Sequence, residues 1–435
     1  MLRRSITVVV VLLAFLSPLQ AQSAPRFTNP VVAIPSPGSG GTTEGEPRMI
    51  VARDGSVVLA AHFQARDCNT GQASSSAASS CVWISRDERR FRLSGGDTGS
   101  EMGDDVDVGQ TTRGTLLESA MTNIGLGSGI PGTTVSRSAD LGHTWTETLD
   151  ANSAVANDRP FMIATSRGDV FLTYDAIPGG LQAVKSSDDG RTVGSPIQVV
   201  GVPNGSPLVD VNSGPVEDRA RHQLVVPYAY STDPSCTSGI NGCFNVIAAA
   251  RSTPDGTTWR QEPVATLPPG SGITAVVGSA ADAKGREYVS YGSAAGGSGT
   301  TVANSDAHIW LATSPRDGVW TNALRIEPPG TSAMLPWVAA DGNGRVVVAY
   351  YGSPFADAQG TAHPWYVYVA RSSDAGRTFR TTKVSRVAYD GTGADHQPLL
   401  WDLLALTLDG RGLAHVAWTS VTGSQTQIMY AHEMR

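Results

Sequence analysis

The stretch YVYVARSSDAGRTF, residues 366–379, decides the fold because it recurs along the chain. TTVSRSADLGHTW ends at Trp145, LQAVKSSDDGRTV at Val193 and NVIAAARSTPDGTTW at Trp259. Each opens as an apolar, β-branched strand and closes in a Ser-x-Asp-x-Gly-x-Thr-aromatic turn. In such a turn the Asp carboxylate accepts backbone N–H groups and Gly takes a conformation closed to other residues. The aromatic packs between strands. One copy carries Ser138, Asp140, Gly142, Thr144 and Trp145, and another Ser372, Asp374, Gly376, Thr378 and Phe379. A third has Ser186, Asp188, Gly190 and Thr192, with Val193 at the aromatic position. The fourth is a variant: Ser252, then Pro254 where Asp is expected, then Asp255, Gly256, Thr258 and Trp259. SRDERRF at Ser85 and SPRDGVW at Ser314 are degenerate copies.

Ahead of these turns lies a second recurring pattern, a strand, a Gly turn and a second strand. EPRMIVARDG-SVVLAAHF starts at Glu46, DVDVGQTTRG-TLLESAM at Asp105 and DRPFMIATSRG-DVFLTYD at Asp158. A looser unit spans Leu208 to Tyr230, and three more start at Thr274, Leu335 and Leu403. A repeat of this size reads as one ring, so a single domain can absorb the whole length. The expectation is an all-β fold, a β-propeller of four-stranded antiparallel blades. Seven units predict seven blades, and the loose fourth unit leaves six open. The last unit ends with three strands, while PRFTNPVVAIP near the N-terminus is a strand without a neighbour. Closure by Phe27–Ile34 as the outer strand of the last blade removes an open edge. The competing reading of that stretch is a tail. Alternation along TLLESAM would turn Glu118 to solvent.

The turns resemble Asp boxes, the BNR repeats of bacterial sialidases. The resemblance implies a sialidase-like propeller with the boxes at the blade periphery, away from the ligand. It implies glycan recognition or exo-acting glycoside hydrolysis, with an arginine triad on a substrate carboxylate and a tyrosine nucleophile. The first-blade motif of that family, Phe-Arg-Ile-Pro, falls on Glu44-Gly45-Glu46-Pro47, so Gly45 stands at the arginine position. Arg48, Arg159, Arg219 and Arg221 are the remaining candidates for such a triad.

Residues 1–24 read as a secretory signal: Arg3 and Arg4, an apolar run from Ile6 to Leu16, then small residues at Ala21 and Ala24. Residues 25–435 then form the propeller domain, and the mature chain is expected to be secreted, without a membrane span, and monomeric. Four cysteines fall in two close pairs, Cys68 with Cys81 and Cys236 with Cys243. In an exported chain these read as two local disulfides. A metal site at the cysteines lacks the CxxC or His spacing it needs. The net charge of −7 and the absence of a basic run exclude nucleic acid as a partner.

A propeller presents ligands where the loops lead into the innermost strands. The candidates there are Glu46, Arg48, Asp105, Asp158, Arg159, His396 and Asp402. Carboxylates and arginines converging over an apolar body make a small-ligand site. No catalytic residue is assignable and no metal ligand set is defined, although carboxylates at a channel mouth could gather Ca²⁺. His62 and His415 lie inside strands and read as packed residues. The leading expectation is binding of a glycan or other extracellular ligand. The alternatives are a sialidase-like exo-glycosidase and a protein-interaction scaffold.

Overall fold

A computed structural model describes residues 23–36, 45–64, 67–68, 70, 79–96, 105–122, 132–150, 156–177, 180–201, 209–210, 213–232, 236, 244–295, 307–315, 318–321, 323–356, 364–389, 404–422 and 425–435. The expected signal falls on residues 1–24, of which 1–22 lie outside this set.

The described residues hold 29 strands and no helix, so none long and apolar enough to cross a membrane. The strands form seven antiparallel sheets, six built from strands consecutive in sequence and the seventh with the first strand set beside the last. Blade 1 covers residues 45–96, blade 2 106–150, blade 3 156–200, blade 4 209–266, blade 5 271–325, blade 6 332–383 and blade 7 405–432. The protein is a seven-bladed β-propeller. The loose fourth unit is a blade whose innermost strand is interrupted: β14 (Val209–Asp210) and β15 (Val216–Asp218) both pair with β16 (Gln223–Tyr230). The N-terminal strand closes the ring. β1 (Val31–Ile34) pairs with β29 (Gln425–His432) as the outer strand of blade 7. A bridge from Phe27 to Glu433 extends the pairing.

The turns behave as the carboxylate chemistry requires. The Ser138 hydroxyl donates to Asp140 Oδ1 at 2.8 Å and accepts the Gly142 N–H at 2.8 Å. Asp140 accepts from the Thr144 backbone and hydroxyl at 2.8 and 2.7 Å. The turns at Ser186 and Ser372 repeat the same bonds. The fourth turn differs from the expected register. There Thr253 donates to Asp255, while Ser252 accepts the Leu224 N–H. Pro254 has no carboxylate to accept the turn's donors, so Asp255 takes that role one residue later, accepting from Thr253 and the Thr257 N–H.

Each turn leans on the blade before it. At Gly142 a Cβ would meet Ile84 Cδ1 and Ser94 Oγ of blade 1 at 2.4 Å; Gly190, Gly256 and Gly376 meet Leu117, Phe171 and Leu311 in the same way. Trp145 Nε1 donates to Ser94 Oγ at 3.1 Å. The cation before the turn serine reaches the other way: Arg137 pairs with Asp189 of blade 3, Arg251 with Glu287 of blade 5 and Arg371 with Glu433 of blade 7. The degenerate turn of blade 1 faces blade 7, with Phe91 edge-on to Tyr430 at 5.1 Å and Glu88 3.2 Å from His432.

Inner strands are covered on both faces by neighbouring blades, so alternation does not separate core from solvent. Glu118 is therefore buried rather than solvent-facing, and its carboxylate lies against Gly96 of blade 1. Cys68 and Cys81 are joined as expected. Cys236 is also in a disulfide; Cys243, its expected partner, lies outside the described residues.

Candidate functional site

Three innermost strands carry the same local device. Glu46-Pro47-Arg48, Arg159-Pro160-Phe161 and Leu335-Pro336-Trp337 each sit at a register shift in blades 1, 3 and 6. Glu46, Arg159 and Leu335 have φ of 52°, 54° and 56°. Positive φ is uncommon outside glycine, and a following proline favours extended backbone instead. Such a conformation costs about 1 kcal/mol or more and persists only where its surroundings hold it. Here a hydroxyl from the second strand of the preceding blade does so. Ser119 donates to Pro160 O at 2.5 Å and Ser290 to Pro336 O at 3.0 Å, while Thr419 accepts the Glu46 N–H at 3.2 Å.

The bulge re-aims the side chains on either side of the proline. The residues after it meet on the axis. The Arg48 guanidinium carbon lies 4.5 Å from the centroids of both Phe161 and Trp337. Arg48 Nε also donates to Asp107 of blade 2 at 3.0 Å. Arg48, expected to meet a ligand, is thus held within the channel by residues of blades 2, 3 and 6.

The residues before the proline meet at the starts of the innermost strands, where they are buried. Glu46 and Arg159 join Asp105 of blade 2, Asp158 of blade 3 and His62 of blade 1. Burial works against the Asp105 carboxylate. Hydrogen bonds with Glu46 and Asp158 and the charges of Arg159 and His62 outweigh it and hold Asp105 below the usual carboxylate range. His62 Nδ1 lies 3.5 Å from Glu46 Oε2. Asp175, buried, pairs with Asp158 across the adjacent strand.

Four of the seven sequence candidates therefore come together: Glu46, Asp105, Asp158 and Arg159. His396 and Asp402 lie outside the described residues. His62 was read as a packed strand residue and is buried, but it belongs to the cluster. Tyr351 of blade 6 was not singled out; its hydroxyl is raised by burial, by Tyr389 and by the Glu46 charge. The repeated x-Pro-x in three inner strands is the sequence signal that marks the Glu46 and Arg159 positions.

Glu46, His62 and Asp105 place one ligand atom each within 4.8 Å of one another. An imidazole with two carboxylates is a donor set for a transition dication, whereas Ca²⁺ takes six to eight oxygens. Arg159 already supplies positive charge to Asp105. The cluster thus fits Ca²⁺ poorly. Nor do the arginines form a triad. Arg219 is exposed beside Glu217, and Arg221 pairs with Asp218 at the far end of blade 4.

Neither a protein-family model nor a curated protein matches the sequence. Solved structures share the fold. A protein of unknown function from Dyadobacter fermentans is 13% identical, with 95% of this chain and 100% of that one covered and a TM-score of 0.57. An ulvan lyase, a polysaccharide lyase, is 10% identical, with 93% and 95% covered and a TM-score of 0.57. The α-L-arabinanase of Penicillium chrysogenum, complexed with arabinobiose, is 14% identical over 75% of this chain and 94% of that one, with a TM-score of 0.50. At these identities the likeness is one of fold.

Proposed function

We propose that the chain is an exported, sialidase-like Asp-box propeller that binds a glycan at the axial mouth over blades 1 to 3. The observation that carries this reading is the convergence of Glu46, Asp105, Asp158 and Arg159 from three blades, two of them aimed by strained bulges. Carboxylates beside a guanidinium and an imidazole offer acceptors and donors to sugar hydroxyls. Arg159 adds a planar partner for a sugar carboxylate. The carbohydrate ligands named for structural neighbours, arabinobiose for the arabinanase and a glucuronyl-rhamnose-sulfate unit for the ulvan lyase, agree with a sugar at this fold.

Binding is favoured over hydrolysis on geometry. Asp105 touches both Glu46 and Asp158, closer than the roughly 5 Å of retaining pairs or the wider gap of inverting ones. Tyr351 is fully buried and its phenol is held protonated, which suits a nucleophile badly. Hydrolysis is the second reading, because carboxyls gathered in a buried cluster are the groups that general acid–base catalysis uses.

A glycan array with the intact secreted protein tests the proposal, run beside chromogenic glycosides that include a sialoside. Binding that Asp105→Asn and Arg159→Ala abolish, without turnover, is the expected result. Turnover lost in the same variants would replace binding with hydrolysis. Neither binding nor turnover would leave the scaffold reading.

A further inference from the structure

A second concave site lies on the same face of the ring, across from blades 1 to 3. It is a cleft of about 600 Å³ between blades 4 and 5. Its walls come from the end of β18 (Trp259–Thr266), the end of β20 (Glu287–Ala295) and the start of β21 (His308–Ser314). Those strand ends correspond to the end of the second strand of blade 1, where His62 sits. The volume falls within the range of small-ligand sites.

The lining has a specific chemistry. Trp310, Trp320 and Tyr291 supply aromatic surface; Ser293, Thr266 and His308 supply hydroxyls and an imidazole. No Asp, Glu, Lys or Arg contributes to it among the described residues. The axial cluster is the opposite, dense in charge. An uncharged cleft that alternates ring surface with hydroxyls matches a ligand with one apolar face and a rim of hydroxyl groups. That is a neutral sugar ring, whose axial C–H face packs on an aromatic plane while its equatorial hydroxyls bond outward.

The polar groups are built rather than incidental. Trp310 Nε1 donates to Ser293 Oγ at 2.9 Å, which fixes the indole plane against blade 5. His308 Nδ1 lies 3.0 Å from Glu327 Oε1, and its ring stands edge-on to Trp310 at 6.5 Å. Glu327 is buried behind it and also accepts the Ile309 N–H at 3.1 Å. Nδ1 faces Glu327, so Nε2 lies on the side of the ring away from it. Trp320 Nε1 is buried in the wall with no hydrogen-bond acceptor among the described residues.

We infer that this cleft is a second carbohydrate subsite, which takes a neutral pyranose unit by stacking on Trp310 and Trp320 with His308 as its hydrogen-bonding partner. The inference does not depend on the axial site.

The test uses the full chain and hexasaccharides of the cello, malto, xylo and manno series, read by tryptophan fluorescence and isothermal titration. At least one series is expected to bind and to shift indole emission. Trp310→Ala and His308→Gln should each weaken that binding tenfold or more, while Arg113→Ala, at an exposed turn of blade 2, leaves it unchanged. His308→Gln keeps the polar contact volume, so circular dichroism and melting separate lost binding from lost fold. Binding that survives both variants, or that Arg113→Ala removes, would overturn the assignment. So would a cleft that takes a hydrophobic dye and none of the four series.

Discussion

The carboxylate of Asp107 ties Arg48 to the next two blades: Oδ1 accepts from Arg48 Nε at 3.0 Å and Oδ2 accepts the Met162 N–H at 2.8 Å. One side chain of blade 2 thereby fixes a cation of blade 1 and a strand of blade 3. Arg48→Ala should leave Asp107 buried with its charge uncompensated and strip two aromatic faces of their cation. Loss of a buried ion-pair partner costs about 3 kcal/mol, and the cation–π contacts add to it. Arg48→Lys should recover part of the loss, since it keeps charge but not the plane that faces both rings. Urea unfolding of the three proteins measures this. Equal stability of wild type and Arg48→Ala would show that the axial stack contributes nothing.

The tight turns give a comparison within one backbone conformation. Gly55 and Gly142 have φ of 86° and 88°. A Cβ at Gly55 meets nothing within 4 Å, whereas at Gly142 it meets blade 1 at 2.4 Å. Gly55→Ala should cost about 1 kcal/mol from backbone strain alone. Gly142→Ala adds overpacking and should cost roughly 2–4 kcal/mol. Thermal melts of the pair separate strain from inter-blade clash.

Acid should weaken the ring in two stages. Burial pushes the His415 imidazole down to about 4, so the folded protein keeps it neutral where an unfolded chain protonates it near 6.5. Between those values the unfolded state binds the extra proton, so stability is complete above about pH 6.5 and falls as pH drops toward 4. The total is on the order of 3 kcal/mol. His415→Gln should flatten this window in stability measured against pH.

A second loss follows at lower pH. Asp140 and Asp188 are lowered to about 2 by the hydroxyl and backbone N–H of Thr144 and Thr192. Asp255 is lowered to about 2 as well, chiefly by the Thr253 hydroxyl. Their contribution is present above the ordinary carboxylate value near 4 and disappears as pH falls through 2. Asp140→Asn should reduce the loss over that range without changing the one near pH 5.

Removing residues 25–34 takes away β1 and leaves β29 with an unpaired edge. The melting temperature should fall strongly and the protein should self-associate on warming, as light scattering would show. An unchanged melt would mean that the ring holds without its N-terminal strand.

The fold was legible because the repeat is written twice, once in the strand pairs and once in the turns. Seven units in register leave little freedom for another architecture. The mouth was legible only through that register, which placed Glu46, Asp105, Asp158 and Arg159 at strand starts. Arg48 reads as an equal of Glu46 in sequence, but the bulge at Pro47 separates them. His62 and Tyr351 were hidden because histidine and tyrosine within buried strands look like packing. The blade 4–5 cleft was hidden for another reason: Tyr291, His308 and Trp320 are far apart in sequence and share no motif.

Arg48, Phe161 and Trp337 have one further consequence. Residues of blades 1, 3 and 6 touch across the axis, with Phe161 fully buried and Trp337 nearly so. The ring is therefore a cup and not a pipe. Nothing can be threaded through it, so whatever the mouth receives must leave by the way it came. A polymer can reach the mouth from one face only and cannot run along the axis.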